Sequence, residues 1–253
     1  MTLPEAFYTI PIAHRGFHHR DAGWPENSFA AFQAAMDRGY GIELDVQLSR
    51  DGVALVFHDY ALDRLTAQTG ALRQCDADDL CQITLTGGSD TIPTLPQVLA
   101  LVAGRVPLLI EIKDQDGAMG KDIGPLEQAT ADALRGYGGD VAVMSFNPNS
   151  VARMADLLPD VPRGLVTSAY RYVEWPLPKA TCDHLREIPD YDRTGACFIS
   201  HEVDDLPRPR VAELREAGAM ICCWTVRSLS VENGAREFAH NITFEGYDAP
   251  LQG

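Results

Sequence analysis

The chain has 253 residues, of which 45% are hydrophobic and 23% are charged, so it contains enough apolar material for a sizeable core and disorder is not expected. Its 36 Asp and Glu residues outnumber 21 Lys and Arg, and the formal net charge of −15 disfavours nucleic acid and anionic membrane surfaces as stable partners. Residues 1–10 show no basic segment followed by a long apolar one, and no apolar run approaches about 18 residues, so a cytoplasmic location is expected, although a periplasmic mature form would look similar.

The first apolar run, residues 8–13, is short and ends abruptly at two basic residues, His14 and Arg15. It predicts a buried first strand whose last residues emerge into a site. A helix is expected to follow, because Asn27 and Ser28 are good cap residues ahead of apolar side chains at helical spacing, and two glycines then end it.

The next segment predicts a hairpin that carries two acids and a histidine. Residues 42–48 alternate strictly between apolar and polar side chains, which puts Glu43 and Asp45 on one face of a strand. An Arg-Asp-Gly turn leads into a second short strand, residues 53–57, with His58 at its end. The hairpin is therefore expected to bring the imidazole back toward the two carboxylates.

Residues 62–93 are polar, with few apolar side chains in phase, and predict an excursion outside the core. A helix over residues 95–102 is expected after it. The apolar run 107–114 then predicts a buried strand that carries Glu111 and Lys113 near its end.

Beyond this point, predicted strands and helices alternate regularly. The strands are 141–146, 164–167, 197–201, 220–226 and 242–244, and the helices are 126–134, 149–158, 181–186, 209–217 and 231–238. With the hairpin counted as an extension of the second strand, eight βα-type units result. The sequence therefore predicts one α/β domain over residues 1–253, a TIM (β/α)8 barrel with a small excursion after the second strand.

Chemically active side chains fall near the predicted carboxyl ends of the strands, where barrel enzymes carry their sites. They are His14, Arg15, Glu43, Asp45, His58, Glu111, Lys113 and Trp224. This shared position is the main indication within the sequence of a single site.

Three of these residues are carboxylates and suggest a metal site. Glu43 and Asp45 lie two residues apart on one strand, and like charges held together need a neutralising cation. With Glu111 from the next parallel strand they form three hard oxygen ligands, which suit Mg²⁺, Ca²⁺ or Mn²⁺ better than zinc. The alternative is that the acids are solvent-facing residues of an edge strand.

The basic residues suggest the remaining functions of the site. Arg15 and Lys113 are candidates for binding phosphate oxygens, although both could instead form ion pairs with the acids. His14 and His58 are candidates for proton transfer, because imidazole titrates near neutral pH. The other histidines are interpreted as structural: His18, His19, His184, His201 and His240.

Seven short motifs together resemble the glycerophosphodiester phosphodiesterase family, in order and across nearly the whole chain. They are His14-Arg15-Gly16, Glu26-Asn27, Glu43-x-Asp45, Asp51-Gly52, His58-Asp59, Glu111-x-Lys113 and Trp224-Thr225-Val226. The resemblance implies a TIM barrel that uses a divalent metal cation to hydrolyse glycerophosphodiesters to glycerol phosphate and an alcohol.

The resemblance also implies a role for each candidate residue. The implied acid and base are His14 and His58. The implied metal ligands are Glu43, Asp45 and Glu111, and the implied substrate contacts are Arg15 and Lys113 to the phosphate and Trp224 on the glycerol side. The family mechanism resembles attack by a neighbouring hydroxyl of the substrate, followed by opening of the cyclic phosphate by water, and a tethered hydroxyl has a high effective molarity.

Three positions depart from the family pattern. Ser28 stands where threonine is common, Arg227 where asparagine is usual, and residues 244–246 where the last strand usually ends in an aspartate before a proline. These differences leave the reaction type unchanged but bear on the leaving-group pocket.

Two alternatives stay open: a superfamily lyase that releases a cyclic phosphate from lysophospholipids, and a non-catalytic barrel that binds phosphorylated polyols.

Overall fold

The computed structural model describes residues 2–251, and its strands close into a barrel. The strands are β1 (Ile12–Ala13), β2 (Gly41–Leu48), β3 (Ala54–Val56), β4 (Leu108–Ile112), β5 (Val141–Ser145), β6 (Arg163–Thr167), β7 (Phe198–Glu202), β8 (Met220–Val226) and β9 (Asn241–Phe244). Paired strands run parallel except β2 with β3, and β1 pairs with both β2 and β9, which closes the sheet. The predicted TIM barrel of eight parallel strands, with β3 as a hairpin extension of the second, is confirmed.

Helices connect most consecutive strands. They are α1 (Ala6–Thr9), α2 (Phe29–Asp37), α3 (Ala77–Leu80), α4 (Leu95–Val102), α5 (Pro125–Leu134), α6 (Pro148–Leu157), α7 (Lys179–Arg186), α8 (Pro209–Glu216) and α9 (Leu229–Ala235), with short 3-10 turns at Arg20–Ala22, Leu72–Gln74 and Val203–Asp205. Ser28 caps α2, where its hydroxyl accepts a hydrogen bond from the Ala31 amide at 3.1 Å. Over the described part of the chain, no helix is long and apolar enough to cross a bilayer.

The amino-terminal segment differs from the sequence prediction. The sequence predicts a strand over residues 8–13, but Ala6–Thr9 form a short helix and only the last two residues of that run belong to a strand, β1. Phe7 on this helix is buried in the barrel interior, and Asn241 donates a hydrogen bond to its carbonyl oxygen at 2.8 Å. The prediction was wrong for the first half of the segment, because four residues are too few to reveal a helical period.

The excursion of residues 62–93 lies outside the barrel but has an apolar core of its own. Side chains from its turns and short helices pack on β3 and the residue after it, in a cluster of Leu55, Phe57, Leu62, Leu65, Leu72, Ala77, Leu80, Leu85 and Ile92. The sequence shows no period here, because these residues do not belong to one regular element. Since Phe57 is fully buried in this cluster, the cluster holds the end of the hairpin that precedes His58.

A second apolar cluster fills the barrel interior, and a glycine makes room for its packing. Phe198 on β7 pairs in register with Gly164 on β6. A Cβ atom on Gly164 would lie 2.4 Å from the Phe198 ring. Phe198 is fully buried, and close-packed interiors leave a ring little room to move, so the space above the glycine is needed by the ring.

We predict that Gly164→Ala lowers the free energy of unfolding by about 1–3 kcal/mol, because the added methyl group overpacks the interior against Phe198. Urea denaturation followed by circular dichroism measures this loss. Gly138→Ala is the matched control, since a Cβ atom there has no neighbour within 4 Å, and its stability should not fall. Equal losses in the two variants would contradict the packing role of Gly164.

Candidate active site

The carboxyl ends of the strands bring the predicted site residues together around one cavity. The cavity has a volume of 470 Å³, and seven of the eight candidates line it: His14, Arg15, Glu43, His58, Glu111, Lys113 and Trp224. The eighth, Asp45, is buried next to them and is 1% exposed. The common position expected from the strand ends is therefore observed.

Three carboxylates meet in the wall of this cavity. Asp45 on β2 stands opposite Glu111 on β4 in the parallel register, and Glu43 lies two residues before Asp45. One oxygen from each lies within 4.8 Å of the others, and all three residues are buried. Since β2 is buried along its whole length, the alternative of a solvent-facing edge strand does not hold.

Burial and neighbouring charges make the ionisation of these carboxylates unequal. Burial and the charges of Asp45 and Glu111 raise the pKa of Glu43 well above its ordinary value. Burial acts in the same direction on Asp45, but Lys113 and other nearby cations outweigh it and lower the pKa of that carboxyl. A bound cation would stabilise such a group, and its oxygen donors are those preferred by Mg²⁺, Ca²⁺ and Mn²⁺.

The two predicted phosphate contacts form ion pairs with the acids. Lys113 Nζ lies 2.8 Å from Glu111 Oε1 and 3.1 Å from Asp45 Oδ1. Burial alone would lower the pKa of Lys113, but these two carboxylates raise it, so the amine stays protonated. Arg15 Nη1 donates to Glu26 Oε1 at 2.6 Å, and its buried Nε forms an ion pair with Asp45 Oδ2 at 3.5 Å without a hydrogen bond among the described residues. Arg15 also lines the cavity, so an anion bound there can reach its guanidinium group.

An ion-pair network connects Arg15 to His58. Arg64 donates two hydrogen bonds to Glu26 and two to Asp59, all at 2.7 or 2.8 Å. Asp59 Oδ1 lies 2.6 Å from His58 Nδ1, which leaves Nε2 as the nitrogen available for proton transfer. Burial would raise the pKa of Glu26, but Arg64 and Arg15 lower it to about 2. The network therefore joins the end of β1 to the excursion through ionised side chains.

His14 is held in a similar way, by a residue that the sequence did not single out for the site. Its Nδ1 lies 2.6 Å from Glu245 Oε2, and its Nε2 lies 4.0 Å from Glu43 Oε2. Burial lowers the pKa of His14, although the hydrogen bond with Glu245 opposes this effect. The sequence feature that could have pointed to Glu245 is its position in residues 244–246, which depart from the family pattern at the end of the last strand.

Part of the cavity wall is aromatic and apolar. Trp224, a predicted site residue, donates from Nε1 to the Ser200 carbonyl oxygen at 3.1 Å, and its ring packs edge-on against Phe146 with centroids 5.5 Å apart. Phe146 also packs against Trp175, with centroids 5.0 Å apart. Sequence reasoning missed Phe146 and Trp175, because an aromatic residue at a strand end or in a loop cannot be told from a core residue by pattern alone.

Comparisons relate the chain to known phosphodiesterases. The model of the glycerophosphoryl diester phosphodiesterase family matches residues 14–239. The chain is 32% identical over 168 residues to the glycerophosphodiester phosphodiesterase of Caldanaerobacter subterraneus. This match covers 62% of this chain and 66% of that protein. It is 26% identical over 238 residues to the glycerophosphodiester phosphodiesterase of Bacillus subtilis. That match covers 87% of this chain and 77% of that protein.

A similar fold is found among solved structures. One is an Oleispira antarctica phosphodiesterase in complex with the product sn-glycerol-3-phosphate. Its TM-score is 0.77 at 22% identity, and the match covers 96% of this chain and 93% of that one. At 22% sequence identity, this structural similarity supports the barrel fold alone.

We predict that Glu26→Gln destabilises the protein at neutral pH and much less in acid. Folding lowers the pKa of Glu26 from an ordinary 4.5 to about 2. The ionised carboxylate therefore contributes fully to the free energy of unfolding above pH 4.5, and this contribution is lost as the pH falls through about 2. The upper limit is about 3 kcal/mol at about pH 7, since one pKa unit corresponds to about 1.4 kcal/mol. Urea denaturation at about pH 7 and about pH 3 measures the difference from wild type.

Glu187→Gln is the control for this measurement. Glu187 is 68% exposed and lies 3.9 Å from its partner Arg208, and exposed pairs of this kind contribute little to stability. Its substitution should change the free energy of unfolding little at either pH. A Glu26→Gln loss of the same size at both pH values would show that the ion pairs with Arg15 and Arg64 are not its cause.

Proposed function

The chain belongs to the glycerophosphoryl diester phosphodiesterase family, and we propose on this basis that it hydrolyses glycerophosphodiesters to glycerol 3-phosphate and an alcohol. One observation carries the proposal: three buried carboxylates, two of which line one cavity, lie close to two histidines of that cavity whose Nδ1 atoms are each held by a carboxylate. Clustered carboxylates bind hard cations, and histidines held in this way transfer protons. Cleavage of a phosphodiester can use both functions.

Glu43, Asp45 and Glu111 are the proposed ligands of a divalent cation, Mg²⁺, Ca²⁺ or Mn²⁺. Their donors are all oxygen atoms within 4.8 Å of one another, and burial leaves their like charges poorly screened. When bound, such an ion would offset these charges and stabilise negative charge on the phosphoryl oxygens. The protonated amine of Lys113, in contact with two of the carboxylates, can share the second task.

Arg15 is proposed to bind the phosphate. Its Nη1 is held by Glu26, its Nε lies 3.5 Å from Asp45 Oδ2, and the residue lines the cavity. An arginine held on one side presents its remaining donors in a fixed direction, which suits the oxygens of a phosphate group. The proposed role of Glu26 is therefore to orient the guanidinium group.

The two histidines are proposed to divide proton transfer between them. When Glu245 accepts a hydrogen bond from Nδ1 of His14, Nε2 carries the lone pair, and burial lowers the pKa of His14, which favours this neutral form. His14 is then suited to accept the proton of the attacking hydroxyl. His58, oriented by Asp59 at 2.6 Å, is left to donate a proton to the departing alcohol.

The attacking group is proposed to be the glycerol hydroxyl next to the phosphate. A tethered hydroxyl reacts with a high effective molarity and would give a cyclic phosphate. Water then opens the cyclic phosphate, and in this second step the roles of His14 and His58 reverse. Both steps use the same residues, so one site serves the whole reaction.

A lyase that acts on lysophospholipids is a second candidate, and the aromatic wall of the cavity favours it. Phe146, Trp175 and Trp224 give part of the cavity wall an apolar surface, which suits an apolar part of a substrate. In a lyase the cyclic phosphate is the end product. Phosphorus NMR separates the two candidates, because a hydrolase accumulates glycerol phosphate and a lyase accumulates the cyclic compound.

We predict that a chelator, or Glu43→Gln, lowers the release of glycerol phosphate at least about 100-fold, because the cation site is lost. Mg²⁺, Ca²⁺ or Mn²⁺ should restore the chelated wild-type protein but not the variant. Glu216→Gln is the control, since Glu216 is exposed at the end of α8, and its activity should match wild type. Wild-type activity that persists unchanged without divalent metal would refute the metal requirement.

We predict that His14→Ala and His58→Ala each lower kcat by about 10²–10⁴-fold, because each removes a group that transfers a proton. Circular dichroism should show both variants folded. His184→Ala is the control, since the His184 side chain is 60% exposed on α7, and its kcat should not change. A folded variant of either residue with wild-type kcat would remove that residue from the mechanism.

A further inference from the structure

Two histidines and a glutamate form a cluster beside the proposed catalytic centre. His14 Nδ1, His18 Nε2 and a carboxylate oxygen of Glu245 lie within 4.8 Å of one another. We propose that these residues form a second metal site, for Zn²⁺ or a related transition metal, and that its occupation inhibits the enzyme. The inhibition rests on the proposed function of His14, whereas the binding does not.

The two imidazole nitrogens converge on one carboxylate oxygen. Glu245 Oε2 lies 2.6 Å from His14 Nδ1 and 3.5 Å from His18 Nε2. In a tetrahedral zinc site with bonds of about 2.0–2.1 Å, neighbouring donors lie about 3.4 Å apart, so small side-chain shifts open the position for an ion. The other oxygen, Oε1, accepts a hydrogen bond from Arg227 at 2.8 Å, which keeps Oε2 turned toward the histidines.

The donor set of this cluster differs from that of the three carboxylates. Two imidazoles and one carboxylate suit Zn²⁺, Cu²⁺ or Ni²⁺, whereas three carboxylates suit Mg²⁺, Ca²⁺ or Mn²⁺. The two sets are therefore expected to select different ions from a mixture. Occupation of one site does not require that the other give up its metal.

The cluster can also be reached without passing through the substrate cavity. His18 and Glu245 line a second cavity of 420 Å³, whereas His14 lines the substrate cavity. The side chains of His14, His18 and Glu245 are 13%, 27% and 19% exposed. An ion from solvent therefore has access to the shared oxygen from the side away from the substrate.

Binding at this position removes the proton acceptor of His14. In the proposed reaction, Nδ1 of His14 carries a hydrogen directed at Glu245, and Nε2 carries the lone pair. A metal bound at Nδ1 takes up the lone pair of that nitrogen, so the hydrogen of the neutral ring moves to Nε2. The ring then presents an N–H group on the side of Glu43, and it cannot accept the proton of the attacking hydroxyl.

Isothermal titration calorimetry with Zn²⁺, in the presence of excess Mg²⁺, tests the binding. We expect His18→Ala to bind Zn²⁺ at this site at least about tenfold more weakly than wild type, because one of three ligands is lost. Co²⁺ is a second probe, and its visible absorption in the wild-type protein should be lost in His18→Ala. Neither measurement depends on enzymatic activity.

Steady-state hydrolysis, again with excess Mg²⁺, tests the inhibition. The Zn²⁺ concentration that halves the rate should rise at least about tenfold in His18→Ala, while the rate without Zn²⁺ stays at the wild-type value. His184→Ala is the matched control, because His184 also pairs with a carboxylate, Asp190, at 3.3 Å. It should change neither the Zn²⁺ sensitivity nor the rate.

Two results overturn the proposal. One is Zn²⁺ binding of equal affinity and stoichiometry in wild type and His18→Ala, and the other is equal Zn²⁺ inhibition of the two proteins. A wild-type protein without any hydrolase activity would contradict the proposed function instead, and calorimetry would still decide whether the second site exists.

Discussion

The burial of three carboxylates within 4.8 Å of one another is the constraint on which the rest of the structure depends. Charges of one sign are costly to remove from water, and they repel one another strongly where the dielectric constant is low. Lys113 contacts two of them, Asn27 donates to Asp45 at 2.9 Å, and the Arg15 amide donates to Glu43 at 2.9 Å. Lys113 and Arg15, whose Nε lies 3.5 Å from Asp45 Oδ2, are two cations for three carboxylates, and Arg15 is shared with Glu26. Uptake of a proton by Glu43, whose pKa is raised, would remove part of the excess charge, and the proposed cation would be the alternative way to offset it.

The closure of the barrel, rather than local sequence, assembles the groups around these carboxylates. Because β1 pairs with both β2 and β9, the residues that follow β1 and β9 meet beside the acids of β2. In this way His14 comes to lie 2.6 Å from Glu245, a residue 231 positions away. His58 arrives by a different route, at the end of the hairpin, where the apolar cluster of the excursion holds Phe57. The excursion is therefore part of the support of the site and not an addition to the barrel.

The features that the sequence predicted correctly are those with local signals. Apolar alternation over residues 42–48 put Glu43 and Asp45 on one face, and the regular succession of strands and helices predicted the barrel. The short helix Ala6–Thr9, the apolar cluster of the excursion and the contact of Glu245 could not be predicted, because each depends on packing between distant segments. The chemical roles of the site residues stay predictions, since proximity brings them together but does not assign the proton or the metal.

Glu245 connects the two departures from the family pattern that lie nearest the site. Its Oε2 holds His14 and lies close to His18, and its Oε1 pairs with Arg227 at 2.8 Å. Arg227 lines the substrate cavity and is 65% exposed, so its charge is accessible to a substrate that enters. The arginine and the glutamate are therefore one structural unit, in which a cation at the cavity mouth is balanced by the carboxylate that orients His14. A substrate group that drew Arg227 away would also change the hydrogen bonding of Glu245. In the proposed mechanism, a change at Arg227 would therefore reach His14 through Glu245.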